Sequence, residues 1–212
     1  MTRSREKAAE PTADVKRPTA RERKVEERRQ RIAQLASQGI LRIGYDGLSV
    51  NVLAEEAGLS VGGLYRYISK KSDLLVMACE DIYGGLLERI DEAASANEPV
   101  EVRLRSALAE YFDACVISRD QILLMYREYR HLPPDAQHRF REKETSISRA
   151  FKDIVDSGVA EGVFVCPSSA VLALDIIVTG HLPALKGWAV KGLSGSGLTG
   201  HQVDFIVRSL RV

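Results

Sequence analysis

A chain of 212 residues with 45% apolar and 28% charged side chains is long enough for one or two packed domains and is neither fibrous nor wholly disordered. Its net charge of +1 says nothing alone, but residues 1–71 carry 15 Lys and Arg against 9 Asp and Glu, while residues 72–212 carry 15 against 20. A basic head of net +6 on an acidic body of net −5 suits a head that meets phosphates, where cations release condensed counterions.

Pro11 and Pro18 with mixed charges between them mark residues 1–20 as a flexible basic leader. From Arg23, the apolar stripe Ile32, Leu35, Ala36, Ile40 and Ile43 predicts a first helix, ended by Gly44, Asp46 and Gly47. Ser49 is a good N-cap for a short helix whose Leu53, Ala54 and Ala57 face inward and whose Glu55 and Glu56 face outward; Gly58 stops it. Ser60 caps a third, very short helix over 61–67. Ser69 or Lys70 then opens a long fourth helix through Leu74, Leu75, Ala78, Ile82, Leu86, Leu87 and Ile90, which fades over 93–99. Further helices are expected over 100–118, 119–131, 134–161, 168–189 and 199–210, broken by Pro133 and Pro134, by 158–167 and by the glycine-rich 192–200. No run alternates with period two and no internal repeat appears, so the fold class is all-α. A three-helix head over 21–70 is followed by a larger helical body over 71–212.

The informative stretch is residues 49–75, SVNVLAEEAGLSVGGLYRYISKKSDLL. Two short crossed helices need a small residue where they touch, a glycine able to take positive φ in the turn, and an apolar anchor on the second helix. Ala54, Gly58 and Leu64 supply these in order, with Leu53, Ala57 and Leu59 filling the remaining inward positions. That arrangement is a helix-turn-helix.

These residues resemble the DNA-binding domain of the TetR family of regulators, in which a capped short helix and a glycine-containing turn precede G-x-L-Y-x-[HY]-F and a lysine that opens the fourth helix. Here the motif reads Gly62, Gly63, Leu64, Tyr65, Arg66, Tyr67, Ile68, then Lys71, and the specific similarity covers about residues 28–76. Ile68 replaces the usual phenylalanine, Lys70 stands where a capping residue is frequent, and Val61 and Gly63 stand where base-reading polar side chains are frequent. The resemblance implies a homodimer on a palindromic double-stranded operator, matched two-fold to two-fold. It assigns DNA contact to Ser49, Asn51, Ser60, Val61, Gly62, Gly63, Tyr65, Arg66, Tyr67 and Lys71. Among these, the tyrosines and Lys71 suit phosphates, the latter beside helix N-terminal amides, and Val61 suits a thymine methyl. With few polar groups facing bases, specificity leans on DNA shape and on Arg66 or Asn51.

The resemblance also implies a body that dimerises through its last two long helices. The run Val171, Leu172, Leu174, Ile176, Ile177 and Val178, relieved only by Asp175, is too apolar for a solvent-facing helix, and Phe205, Ile206 and Leu210 repeat the pattern. Residues 125–149 are similar to a subset of the family that responds to acyl-CoA thioesters or related hydrophobic acids; arginines beside aromatics suit an anion with an apolar tail. Tyr126, Tyr129, Arg130, Phe151 and His181 are the ligand candidates, for a small hydrophobic or acyl-CoA-like effector.

Cys79, Cys115 and Cys166 are odd in number and far apart, so they read as buried small side chains in a reducing cytosol. His131, His138 and His201 show no metal-ligand grouping and read as solvated or capping residues; no metal and no cofactor are expected. The charged N-terminal segment lacks an apolar signal core and the best apolar stretch falls short of the ~20 residues that cross a bilayer, so a cytoplasmic protein without a membrane partner is expected. No nucleophile elbow, phosphate loop or paired-acid arrangement points to an enzyme. The expectation is therefore a ligand-responsive transcriptional regulator, a repressor by the commoner polarity of the family.

Overall fold

The computed structural model describes residues 19–80, 82–193 and 195–211; apart from Thr19 and Ala20, the expected leader lies outside them. Helix α1, Ala20–Gly47, begins with a reciprocal cap: Glu22 N donates to Thr19 Oγ1 at 3.2 Å and Thr19 N donates to Glu22 Oε2 at 2.7 Å. Its inward stripe is Ile32, Leu35, Ala36 and Ile40. Ile43, expected to continue that stripe, is 52% exposed, because Gly44 at φ 77° and ψ 164° turns the chain before the stripe closes. Helices α2, Val50–Glu56, and α3, Val61–Leu64, follow, then α4, Lys71–Cys79, which packs on α1.

The long fourth helix expected from periodicity is in fact two. Helix α4 stops at Cys79, and α5, Leu86–Ser95, starts after Gly85, whose φ of 61° is left-handed. The turn between them, closing with the left-handed Gly85, separates the two helices while leaving the apolar spacing on either side unchanged.

Helices α5, α6 (Val100–Ile117), α8 (Pro134–Ala160) and α9 (Ser169–Leu185) pack around Tyr111, Phe112 and Phe151, all buried. Helix α7, Arg119–Glu128, runs on into a 3-10 turn, Tyr129–His131, and bridges body and head by touching α1, α4 and α9. Helix α10, Gly195–Ser209, lies on α6 and begins ahead of the expected position, whereas α9 ends earlier than expected.

Two close approaches fix the centre of the body. A Cβ on Gly180 would lie 2.4 Å from the Tyr111 ring, so α9 can pass α6 at this distance only with glycine there. Pro183, inside α9, has no N–H to offer the carbonyl of Thr179. Gln202 of α10 replaces it, its Nε2 donating to Thr179 O at 2.9 Å. Cys79 and Cys115 are buried, and burial raises both thiols to about 12; Cys166, expected to be buried, is partly exposed.

Candidate nucleic-acid interface and body cleft

The crossed pair α2–α3 is built from the inside outward. Leu53, Ala54, Leu64 and Ile68 are buried against α1 and α4, with Ala57 and Leu59 partly buried at the edge. Gly58 takes φ 66° at the turn with open space around its Cα, so the conformation and not the room selects glycine. Ser49 Oγ accepts from Val52 N at 3.5 Å and Ser60 Oγ accepts from Gly63 N at 3.0 Å, each hydroxyl closing the first turn of its helix. Gly63 is tight for the same reason: a Cβ there would stand 3.2 Å from the capping Ser60 Oγ.

What remains outside is the presented surface. Ser49, Asn51, Ser60, Val61, Gly62, Tyr65 and Arg66 are exposed, Tyr65 by 48%. Tyr67 differs from Tyr65: it is half-buried and packed on the core. Lys71 is held within the head. Its Nζ donates to the carbonyl of Asp46 at 3.0 Å and stands 4.9 Å over the Tyr45 ring, which leaves two ammonium hydrogens for another acceptor. The two amides that precede it are already bonded. Asp73 Oδ2 accepts from Ser69 N at 2.8 Å and from Lys70 N at 3.0 Å, which caps α4 from its third residue and makes a capping side chain at Lys70 unnecessary. Sequence reasoning passed over Asp73, although an acidic residue in a first helical turn was the available signal.

In the body, an apolar cleft of about 380 Å³ is lined by Met125, Tyr126, Tyr129, Phe140, Arg141 and Glu144. Of the predicted ligand residues it brings together Tyr126 and Tyr129, with His181 directly behind Tyr126. Arg130 is exposed on the 3-10 turn and does not line the cleft; Arg141 does, its Nη1 donating to Tyr129 Oη at 3.2 Å. Phe151 is a core residue, edge-on to Tyr111 at 5.5 Å between centroids. A larger hollow of about 550 Å³ between α1 and the α6–α7 corner is open and edged by Glu26, Arg29, Glu80 and Asp120, a poor match for an apolar tail.

Behind the cleft runs a buried chain of hydrogen bonds. Tyr83 Oη donates to Glu144 Oε1 at 2.8 Å and Tyr111 Oη donates to the Ile177 carbonyl at 3.0 Å. Both hydroxyl oxygens also lie 3.3 Å from His181 Nε2, and since their protons are committed elsewhere, Nε2 carries the hydrogen that they share. Nδ1 is then the acceptor, and Tyr126 Oη donates to it at 3.0 Å. Burial lowers His181 to about 4 and keeps the ring neutral. Burial also raises Glu144, against the opposing hydrogen bond from Tyr83. Tyr83 is raised by burial and then by the Glu144 charge, and Tyr111 and Tyr126 are raised mainly by burial. Tyr83, Tyr111, Glu144 and Arg141 were not singled out from the sequence: they come from separate elements and share no local spacing.

No group of three or more His, Cys, Asp or Glu positioned for a metal occurs among the described residues, and no helix there is long and apolar enough to cross a membrane. His131, expected to be solvated or capping, stacks on Tyr45 with centroids 4.8 Å apart.

Comparison with known proteins agrees with this geometry. Residues 34–78 match the model described as bacterial regulatory proteins, tetR family, and residues 97–183 match the tetracyclin repressor-like C-terminal domain. The HTH-type transcriptional regulator HbdR of Aromatoleum sp. (strain CIB) is 28% identical over 166 residues, 78% of this chain and 72% of its own. A tetR-family regulatory protein from Rhodococcus RHA1 superposes with a TM-score of 0.78 at 19% identity, covering 87% of this chain and 97% of that one. AibR, solved in complex with isovaleryl coenzyme A and operator DNA, superposes with a TM-score of 0.68 at 16% identity, covering 84% and 97%. With one model of the family on the head and another on the body, the chain belongs to the TetR family of transcriptional regulators, DNA-binding proteins and not enzymes.

Proposed function

We propose that the chain represses transcription as a homodimer on a two-fold operator and is released by a small hydrophobic or acyl-CoA-like effector. The observation that carries the effector half of this reading is the apolar cleft backed by the Tyr126–His181–Tyr83–Glu144 chain. Arg141 at its edge suits an anionic head, and Met125, Phe140 and the tyrosines suit an apolar tail. The isovaleryl coenzyme A in the AibR structure supports this class of effector.

In the head, Tyr65 and Arg66 project from the turn that ends α3, which stops at Leu64 and short of the expected 61–67, Val61 offers a methyl contact, and Lys71 offers its two remaining hydrogens to a phosphate. Asn51, Ser49, Ser60, Gly62 and Gly63 supply the rest of the contact surface, and Tyr67 reaches the backbone from its half-buried position. The dimer face follows from what α9 leaves outside: Val171, Leu174 and Val178 are each more than half exposed along one side, and Phe205 of α10 is 75% exposed. Four large apolar groups on adjoining helices make a self-complementary patch for a two-fold contact. Ile206 and Leu210, expected on that face, are buried inside the protomer.

The test is a mobility shift on a duplex selected by the wild-type protein from a random-sequence pool, repeated with isovaleryl coenzyme A, longer acyl-CoA esters and free coenzyme A. Release by an ester but not by free coenzyme A supports the reading. Binding indifferent to every ester and to the corresponding free acids refutes the effector half, and failure to select any duplex refutes the operator half.

A further inference from the structure

The segment 125–131 has two faces. Met125, Tyr126 and Tyr129 line the cleft, while Arg127, Glu128 and His131 reach the other way, to the C-terminal end of α1. Arg127 Nη1 donates to the Leu41 carbonyl at 3.2 Å, at a helix end where Gly44 has interrupted the amides that would otherwise bond the last carbonyls. His131 Nδ1 donates to the buried Glu128 Oε2 at 3.0 Å. The imidazole so oriented stacks on Tyr45, planes 28° apart, with Nε2 3.8 Å from Asp46 Oδ1. Tyr45 and Asp46 are the two residues that hold Lys71, one through its ring and the other through its carbonyl.

We propose that Tyr45 and His131 are positioning residues for DNA binding: the stack fixes the end of α1 at 45–46, and that end fixes the Lys71 ammonium. A free lysine loses rotamer freedom when it is immobilised on a phosphate, and here much of that ordering precedes the encounter. The far side of the same segment is the wall of the cleft, so a displacement of that wall reaches Lys71 through two aromatic rings. This inference rests on the reading that Lys71 meets a phosphate.

A double-mutant cycle tests it, with binding to the selected duplex followed by fluorescence anisotropy across a salt series. Lys71→Ala is expected to lower the slope of log affinity against log salt by about 0.9 for each phosphate that is no longer neutralised. His131→Ala is expected to weaken binding by roughly 5-fold in the Lys71 protein with that slope unchanged, because the phosphate contact is still made, but to change little in the Lys71→Ala background, as coupled residues do. His131→Phe keeps a ring on Tyr45 and should bind like wild type. Thermal melts of each variant report any loss of folded protein, which would weaken binding alike in both backgrounds. If Lys71→Ala alone changes neither affinity nor slope, the phosphate contact itself is refuted and the inference falls with it. If Lys71→Ala weakens binding but His131→Ala is equally harmful in both backgrounds, or His131→Phe is as weak as His131→Ala, the phosphate contact stands and the positioning role is overturned.

Discussion

Replacing His181 by phenylalanine should make the protein less stable than wild type at neutral pH and more stable in mild acid. His181 is fully buried, and phenylalanine fills a similar volume. At neutral pH, Tyr83 keeps Glu144 as its acceptor, Tyr111 keeps the Ile177 carbonyl, and the half-exposed Tyr126 can turn to water. The net loss is that of about one hydrogen bond, ~1 kcal/mol. In acid the balance reverses. Burial holds His181 at about 4 against an ordinary value of 6.5, so as pH falls the unfolded chain takes up its proton first and wild-type stability drops through that window. By pH ~4.5 the wild type has lost about 2.5 kcal/mol, at 1.36 kcal/mol per pH unit, and the variant has lost none of it. The two stability curves should cross near pH ~6. Glu144, with its raised pKa, contributes stability that is present in acid and fades as pH rises, but it is common to both proteins and cancels in their difference. Equilibrium urea unfolding of both proteins near neutrality and in mild acid, at one fixed protomer concentration, measures this. Parallel curves with no crossing would refute the claim that the ring is kept neutral by its surroundings.

Gly180→Ala drives a methyl into the Tyr111 ring, and urea midpoints should show a loss of about 1–3 kcal/mol, the usual cost of overpacking a core. Leu174→Glu combined with Val178→Glu places like charges on both sides of the proposed two-fold contact, and light scattering should then report half the wild-type mass with an unchanged helical spectrum. Tyr65→Phe removes one exposed hydroxyl and nothing buried. Stability should stay within about ±0.5 kcal/mol, while affinity for the selected duplex falls alike across operator variants, because phosphate contacts position the helix without reading sequence.

The head was legible because its constraints are local. Ala54, Gly58 and Leu64 lie within a few residues of one another, and each does one steric task that few other residues can do; the structure gives Gly58 its positive φ and buries the other two. The break between Cys79 and Leu86 was not legible, since Ala78, Ile82, Leu86 and Ile90 keep a helical rhythm straight across it and a turn of this length leaves no trace in spacing. The chain through His181 was invisible for a different reason. Its members come from α6, α7, α8, α9 and the turn before α5, and only packing brings them together. Arg141 rather than Arg130 faces the cleft because residues 129–131 leave the α-helical path for a 3-10 turn, which rotates Arg130 away from the direction that the spacing implies.

The amide that Gln202 lends to Thr179 has a mechanical meaning. A proline within a helix ordinarily creates a soft spot about which the two halves can flex, and here that joint is splinted by the neighbouring rod. That amide ties the proline-bearing end of α9 to the last helix. In the proposed dimer this joint lies beside the two-fold contact, and shortening Gln202 to alanine would free it to bend there.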